Sequence, residues 1–124
     1  MRALLARRAA LAIGWALVAA IIVLSLMHSP PKIDVEQGDK LGHFVAYGSL
    51  MFWFAQLYAG RRSRLAYALG FIAMGVMLEF VQGAVGYRQF ELLDMFANAV
   101  GVLLGWGAAL VLPKIAVRPP QETN

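Results

Sequence analysis

The chain has 124 residues, of which 60% are hydrophobic and 15% charged, and its mean hydropathy is +0.65. This composition is too apolar for an ordinary soluble domain and indicates one small membrane domain. The net charge of +4 does not predict nucleic-acid binding, because the basic residues lie in short segments between apolar runs rather than on one basic face. The absence of cysteine excludes disulfides and cysteine-based metal sites.

Four apolar runs, in chain order, predict an all-α membrane protein, a four-transmembrane-helix bundle. The runs are Ala9–Met27, Leu41–Ala59, Leu65–Gln82 and Leu92–Leu112. Each is close to the ~20 residues that cross a bilayer core as a helix. Because the third run contains Glu79 and the fourth Asp94, these two helices require neighbouring protein to shield a carboxylate. We expect one domain over residues 1–112 and a flexible cytoplasmic tail over 113–124.

The first run is also compatible with a signal peptide, because Arg2, Arg7 and Arg8 precede it. Its 19 apolar residues exceed the roughly 7–15 of a cleaved signal, and the segment 27–31 contains no clear small-residue cleavage site. We therefore expect a retained helix. Cleavage would leave three helices and move the C-terminus to the other side of the membrane.

Lysines and arginines in the short connections predict the orientation. Eight of them fall on one side of the predicted bundle, and only Lys32, Lys40 and Arg88 fall on the other. Because the more basic side faces the cytoplasm, both termini are predicted to be cytoplasmic. The segment Gly60–Arg64 is then a tight cytoplasmic turn between the second and third helices.

Polar side chains recur at helical spacing at the predicted outer ends of helices two, three and four. They are Asp39, Lys40, His43 and Tyr47, then Glu79 and Gln82, then Arg88, Asp94 and Asn98. Ionisable residues in membrane helices usually face the protein interior or an aqueous cavity. The three groups therefore predict one ligand-binding pocket in the outer half of the membrane.

These polar stretches resemble the VanZ-like family. The resemblance rests on D-K-L-G-H-F-V-A-Y from Asp39, E-F-V-Q from Glu79 and R-Q-F-E-L-L-D-M-F-A-N-A-V-G from Arg88. The chain departs from the family pattern in 83–87, which lacks a proline, and at Glu91. The resemblance implies a small multi-pass protein of the bacterial inner (cytoplasmic) membrane, in a family partly associated with resistance to teicoplanin-type glycopeptides. It implies no particular biochemical activity.

The sequence leaves open the roles of the polar residues on the second and third helices. His43 and Tyr47 either hold a ligand or a proton path, or they hydrogen-bond Glu79 and Asn98 as buried polar groups. Glu79 either fastens helices together or takes part in binding or proton transfer, and His43 and Glu79 are the catalytic candidates if the protein is an enzyme.

The cationic residues are predicted to bind anions or to form salt bridges. Arg88 either grips a phosphate or carboxylate, or pairs with Asp94 or Glu91. Lys40 pairs with Asp39 or contacts lipid headgroups. We expect no metal and no cofactor, because the carboxylates form no compact ligand motif and both cations compete for them.

Gly101 and Gly105 allow another helix to approach the fourth helix closely. We expect that helix to belong to the same bundle, and a homodimer through this face is the alternative.

The leading hypothesis is an outward-facing pocket for a cell-envelope lipid or peptidoglycan-related ligand, with a contribution to glycopeptide resistance or envelope maintenance. The alternatives are a membrane enzyme that acts on a lipid-linked phosphate by general acid and base chemistry, and a non-catalytic membrane partner of another subunit.

Overall fold

The computed structural model describes residues 1–27, 38–85 and 92–112, with the backbone alone for Asp39 and Val85. Four helices account for the regular structure in these ranges. They are α1 (Arg2–Leu26), α2 (Gly38–Leu57), α3 (Arg61–Val85) and α4 (Leu92–Val111). The predicted all-helical class is confirmed over this part of the chain.

Three of these helices are long and apolar enough to cross a membrane. They cover Arg2–Leu26, Arg61–Ala84 and Leu92–Val111. The sequence predicted four, but α2 does not meet the same criterion of length and hydropathy. The reason is its position, because α2 packs against all three other helices and exposes just two of its large apolar side chains, Leu41 and Val45. A helix covered by protein needs less apolar surface than one that faces lipid.

The core is built mainly on α2. Its Leu50, Met51 and Phe54 are fully buried, and they pack with Phe71 of α3 and Val102 of α4. The outside of the bundle is apolar instead of polar. Large side chains stay exposed along α1, α3 and α4, for example Trp15, Phe80, Phe96 and Leu110. Such a surface is unsuited to water and is typical of contact with lipid.

The most extensive helix contact joins α2 to α4, and glycines bring the two backbones together. A Cβ atom added to Gly101 would lie 2.5 Å from the carbonyl oxygen of Phe44, and one added to Gly105 would meet the Gly48 carbonyl oxygen. Phe44 thus faces Gly101 and Gly48 faces Gly105, so α2 and α4 run parallel. Both α4 glycines are buried by α2 of the same chain. This face of α4 is therefore occupied, and a homodimer through Gly101 and Gly105 is not supported.

Two arginines hold the C-terminus of α2, at what we call the arginine end of the bundle. Arg64 donates from Nη2 to the Ala55 carbonyl oxygen at 2.7 Å and from Nε to the Tyr58 carbonyl oxygen at 2.8 Å. Arg7 of α1 donates to the Leu57 carbonyl oxygen at 2.7 Å. The last carbonyl groups of a helix have no partner within it and carry partial negative charge, so both guanidinium groups stabilise this terminus.

Candidate functional site

The polar end of the bundle lies opposite the arginine end, where α2 and α4 begin. We define it by Lys40 and His43 of α2 together with Asp94 and Asn98 of α4. Because the two helices run parallel and in close contact, their first turns lie side by side. The helical spacing of each pair then directs its side chains to the shared interface.

Asn98 orients the ring of His43. The two side chains approach at 3.0 Å between His43 Nδ1 and Asn98 Oδ1. An amide oxygen accepts hydrogen bonds, so Nδ1 carries the proton and donates it, and Nε2 is the ring nitrogen that faces the rest of the site. Asn98 is itself fixed by α3, because a Cβ added to Gly75 would lie 2.8 Å from Asn98 Nδ2. The sequence-based alternative that His43 hydrogen-bonds Asn98 is confirmed.

Asp94 lies between two nitrogen-bearing side chains. Its Oδ1 is 3.4 Å from Lys40 Nζ, and its Oδ2 is 3.8 Å from His43 Nε2. Both distances exceed the roughly 2.7–2.9 Å of a tight charge-assisted hydrogen bond. The Asp94 side chain is 7% exposed, against 20% for Lys40 and 16% for His43. The carboxylate thus forms the base of the site, and the two nitrogen-bearing groups lie nearer the surface.

Tyr47 and Glu79 form a second, deeper layer. Tyr47 follows His43 by one turn of α2, and both Tyr47 and Glu79 are almost completely buried. The Glu79 carboxylate is close enough to interact electrostatically with Tyr47. Polar positions of α2 and α3 thus come together at Tyr47 and Glu79, and the prediction that all the polar groups form one ligand-binding pocket stays a prediction.

Of the three remaining predicted site residues, the structure describes the side chain of Gln82 alone. Gln82 donates from Nε2 to the Ser25 carbonyl oxygen at 2.7 Å, so its amide ties α3 to α1. Arg88 and the side chain of Asp39 lie outside the described residues. The prediction that these two belong to the site stays a prediction.

Lys40 has an acidic partner across the helix interface in Asp94, and the predicted pairing of Lys40 with Asp39 stays a prediction. Within the described ranges, no three His, Asp or Glu side chains are grouped so that they could hold a metal ion. The functional groups in and below the polar end include one ammonium group, one imidazole and two carboxylates. They suit hydrogen bonding, charge pairing and proton exchange.

The fold and this polar end define a small multi-pass membrane protein. A family profile described as VanZ/LLP1 matches residues 6–113, and the chain belongs to that family. An uncharacterized protein from the fission yeast Schizosaccharomyces pombe is 32% identical over 95 residues, which cover 74% of this chain and 56% of that protein. The chain thus spans about half the length of this relative. No solved structure matches.

Proposed function

We propose that this protein crosses the membrane with all four helices and binds a polar headgroup at the polar end. The headgroup belongs to a membrane lipid or to a lipid-linked molecule of the cell envelope. With 20 residues, α2 is about 30 Å long, enough to cross the hydrocarbon core. The concentration of arginine and lysine on the opposite side supports cytoplasmic termini and an outward-facing polar end.

One observation carries the proposal, namely the network of Lys40, Asp94, His43 and Asn98. Its base is buried in an apolar protein, while Lys40 and His43 stay partly exposed. Ionisable groups within membrane helices are unfavourable and mark functional sites by default. Apolar packing would fasten α2 to α4 at least as well as a buried ion pair, so fastening alone does not account for the network.

The proposed roles follow from position. Lys40 contacts the phosphate of the headgroup, and His43 Nε2 and Asp94 form hydrogen bonds beside it, while Asn98 fixes the imidazole. Tyr47 and Glu79 support the site from below. Arg88, placed by sequence just before α4, adds a second cation for the anion.

The family relationship supports a ligand that occurs in the membranes of distantly related organisms. A bacterial inner-membrane location and a contribution to glycopeptide resistance or envelope maintenance remain part of the proposal, by analogy with the family. The fission-yeast relative favours a ligand that bacterial and yeast membranes share, and phospholipid headgroups meet that condition.

Native mass spectrometry of the purified protein tests the proposal. We expect wild type to retain lipid and Lys40→Ala to lose it, while Arg8→Gln, which removes one exposed positive charge at the arginine end, retains it. Melting temperatures in detergent verify that both variants are folded. Identical lipid adducts on wild type and folded Lys40→Ala would contradict headgroup binding.

A membrane enzyme is the second candidate, favoured by the position of His43 Nε2 beside the Asp94 carboxylate. A positioned imidazole with a carboxylate neighbour is suited to general acid and base catalysis on a lipid-linked phosphate. This reading predicts turnover of a lipid pyrophosphate by wild type, and its loss in folded His43→Ala and Glu79→Gln. Intact lipid pyrophosphates after incubation with wild type, under all divalent-cation conditions, would contradict it.

A further inference from the structure

We infer that the headgroup bound at the polar end is zwitterionic and carries a primary amine beside its phosphate, as ethanolamine phosphate does. This inference rests on the proposed function and specifies the class of its ligand. It follows from the charges at the polar end and from the hydrogen-bonding state of His43.

The first argument is the charge pair. Lys40 Nζ and Asp94 Oδ1 lie 3.4 Å apart, so a positive and a negative group stand side by side in the same partly exposed place. A headgroup with phosphate and ammonium two carbon atoms apart presents the complementary pair. Its phosphate would pair with Lys40 and its ammonium group with Asp94, and the exchange leaves no buried charge unmatched.

The second argument is the orientation of His43. Because Nδ1 faces Asn98, Nε2 is the ring nitrogen that faces Asp94 Oδ2, and these two atoms are 3.8 Å apart. A hydrogen-bond donor would fit between them at about 2.8 Å from each. The N–H groups of a primary ammonium ion meet this condition, whereas the oxygens of a phosphate would be repelled by the Asp94 carboxylate.

The third argument is the charge balance of this end. A purely anionic headgroup could pair with Lys40, but it would also lie close to the Asp94 carboxylate. The segments that precede α2 and α4 in sequence, 28–37 and 86–91, contain three acidic and two basic residues, and Asp39 adds a further acidic residue in the first turn of α2. The arginine end shows the opposite pattern, because α1 and α3 have no acidic residue in their first turns. An anionic lipid is better matched to that end.

A headgroup series tests the inference on the detergent-solubilised full chain. Short-chain phosphatidylethanolamine, its N-methylated forms, phosphatidylcholine and phosphatidylglycerol are titrated, and dissociation constants are measured by calorimetry. We expect the ethanolamine lipid to bind at least about tenfold more tightly than the glycerol lipid, because its ammonium group adds charge-assisted hydrogen bonds. Affinity should fall with each methyl group, since each removes one N–H donor.

Variants separate the amine from the phosphate. Asp94→Asn should remove the preference for ethanolamine while keeping phosphate binding through Lys40, and Arg8→Gln should behave as wild type. If Asp94→Asn does not fold, the methylation series on wild type still shows whether the amine of the headgroup is recognised. Equal or tighter binding of phosphatidylglycerol by wild type overturns the amine inference and leaves headgroup binding intact. Failure of every lipid in the series to bind overturns both.

Discussion

Asn98 joins three helices through one amide group. It lies on α4, its Oδ1 accepts from His43 of α2, and its Nδ2 lies against Gly75 of α3. The space for this amide exists because residue 75 has no side chain. At the scale of single residues, the polar end therefore depends on a glycine that carries no polar group.

Gly75→Ala tests this dependence. The added Cβ would lie 2.8 Å from Asn98 Nδ2, so the amide must move and the His43 hydrogen bond is strained or lost. We expect the free energy of unfolding in micelles to fall by about 1–3 kcal/mol. Gly70→Ala is the matched control, since nothing lies within 4 Å of a Cβ there, and alanine in a helix should be neutral or stabilising by up to about 1 kcal/mol. Equal effects of the two variants would contradict this placement of Asn98.

At this scale the sequence predicted the residues of the site better than their partners. Helical spacing shows which face a side chain lies on, so it could predict that His43, Asp94 and Asn98 lie on faces that meet other helices. Spacing does not show which residues of another helix meet that face. The pairing of Lys40 with Asp94 and the use of Gln82 to hold the Ser25 carbonyl group depend on how the helices cross, and so required the structure.

At the scale of elements, α2 differs from its neighbours, because it is the most enclosed helix and its C-terminus is held by other helices. The sequence predicted the arginines at this end only as markers of the cytoplasmic side. Their hydrogen bonds to the α2 carbonyl groups were not predicted, since a charge count contains no information about partners. The starts of α1, α2 and α3 were predicted too late in the chain. For example, α1 begins at Arg2 instead of Ala9, because an apolar run ends at a charged residue whereas helical hydrogen bonding continues past it.

Arg64→Gln tests the stabilisation of the α2 terminus. The substitution removes the charge-assisted hydrogen bonds to the Ala55 and Tyr58 carbonyl groups, so the free energy of unfolding should fall by about 1.5–3 kcal/mol. Arg8→Gln removes the same charge at the same end from an exposed position and should change stability by less than about 0.5 kcal/mol. Denaturant titration followed by circular dichroism measures both, and a similar loss in the control would mean that charge alone matters.

The contact between α2 and α4 gives a second test at this scale. Gly105→Ala places a methyl group against the Gly48 carbonyl oxygen and forces the two helices apart, while an added Cβ at Gly107 meets nothing within 4 Å. We expect Gly105→Ala to lower the free energy of unfolding by at least about 1–3 kcal/mol, and Gly107→Ala to leave it unchanged or slightly higher. A tolerated Gly105→Ala would show that the helices are not in close contact there.

At the scale of the whole molecule, the bundle has two chemically different ends. One presents arginines and holds the α2 terminus, and the other contains a mixed set of charged and polar groups. The helical class and the family were predicted from the sequence. The number of spanning helices was harder to predict. Because α2 is covered by the other helices, its hydropathy does not indicate whether it crosses the membrane.

The orientation of the protein in the membrane can be tested with single introduced cysteines. The natural chain contains no cysteine, so no other residue has to be replaced first. Ser29→Cys and Ser63→Cys should react with membrane-impermeant thiol reagents from opposite sides, Ser29→Cys from outside the cell and Ser63→Cys from the cytoplasm. This follows from the excess of lysine and arginine around residue 63 and at the termini. Labelling of both cysteines from the same side would overturn the proposed topology.

The most direct test of the central claim is the distance between Lys40 and a lipid phosphate. Lys32→Gln with Lys114→Gln leaves Lys40 as the sole lysine, so that ¹⁵N-lysine labelling reports Lys40 Nζ alone. Solid-state NMR of this protein in phosphatidylethanolamine bilayers measures the dipolar coupling between ¹⁵Nζ and ³¹P. We expect a clear coupling, and Asp94→Asn should keep it, because the phosphate still pairs with Lys40 in that variant. Absence of coupling in the protein with an intact Asp94 would contradict headgroup binding at the polar end.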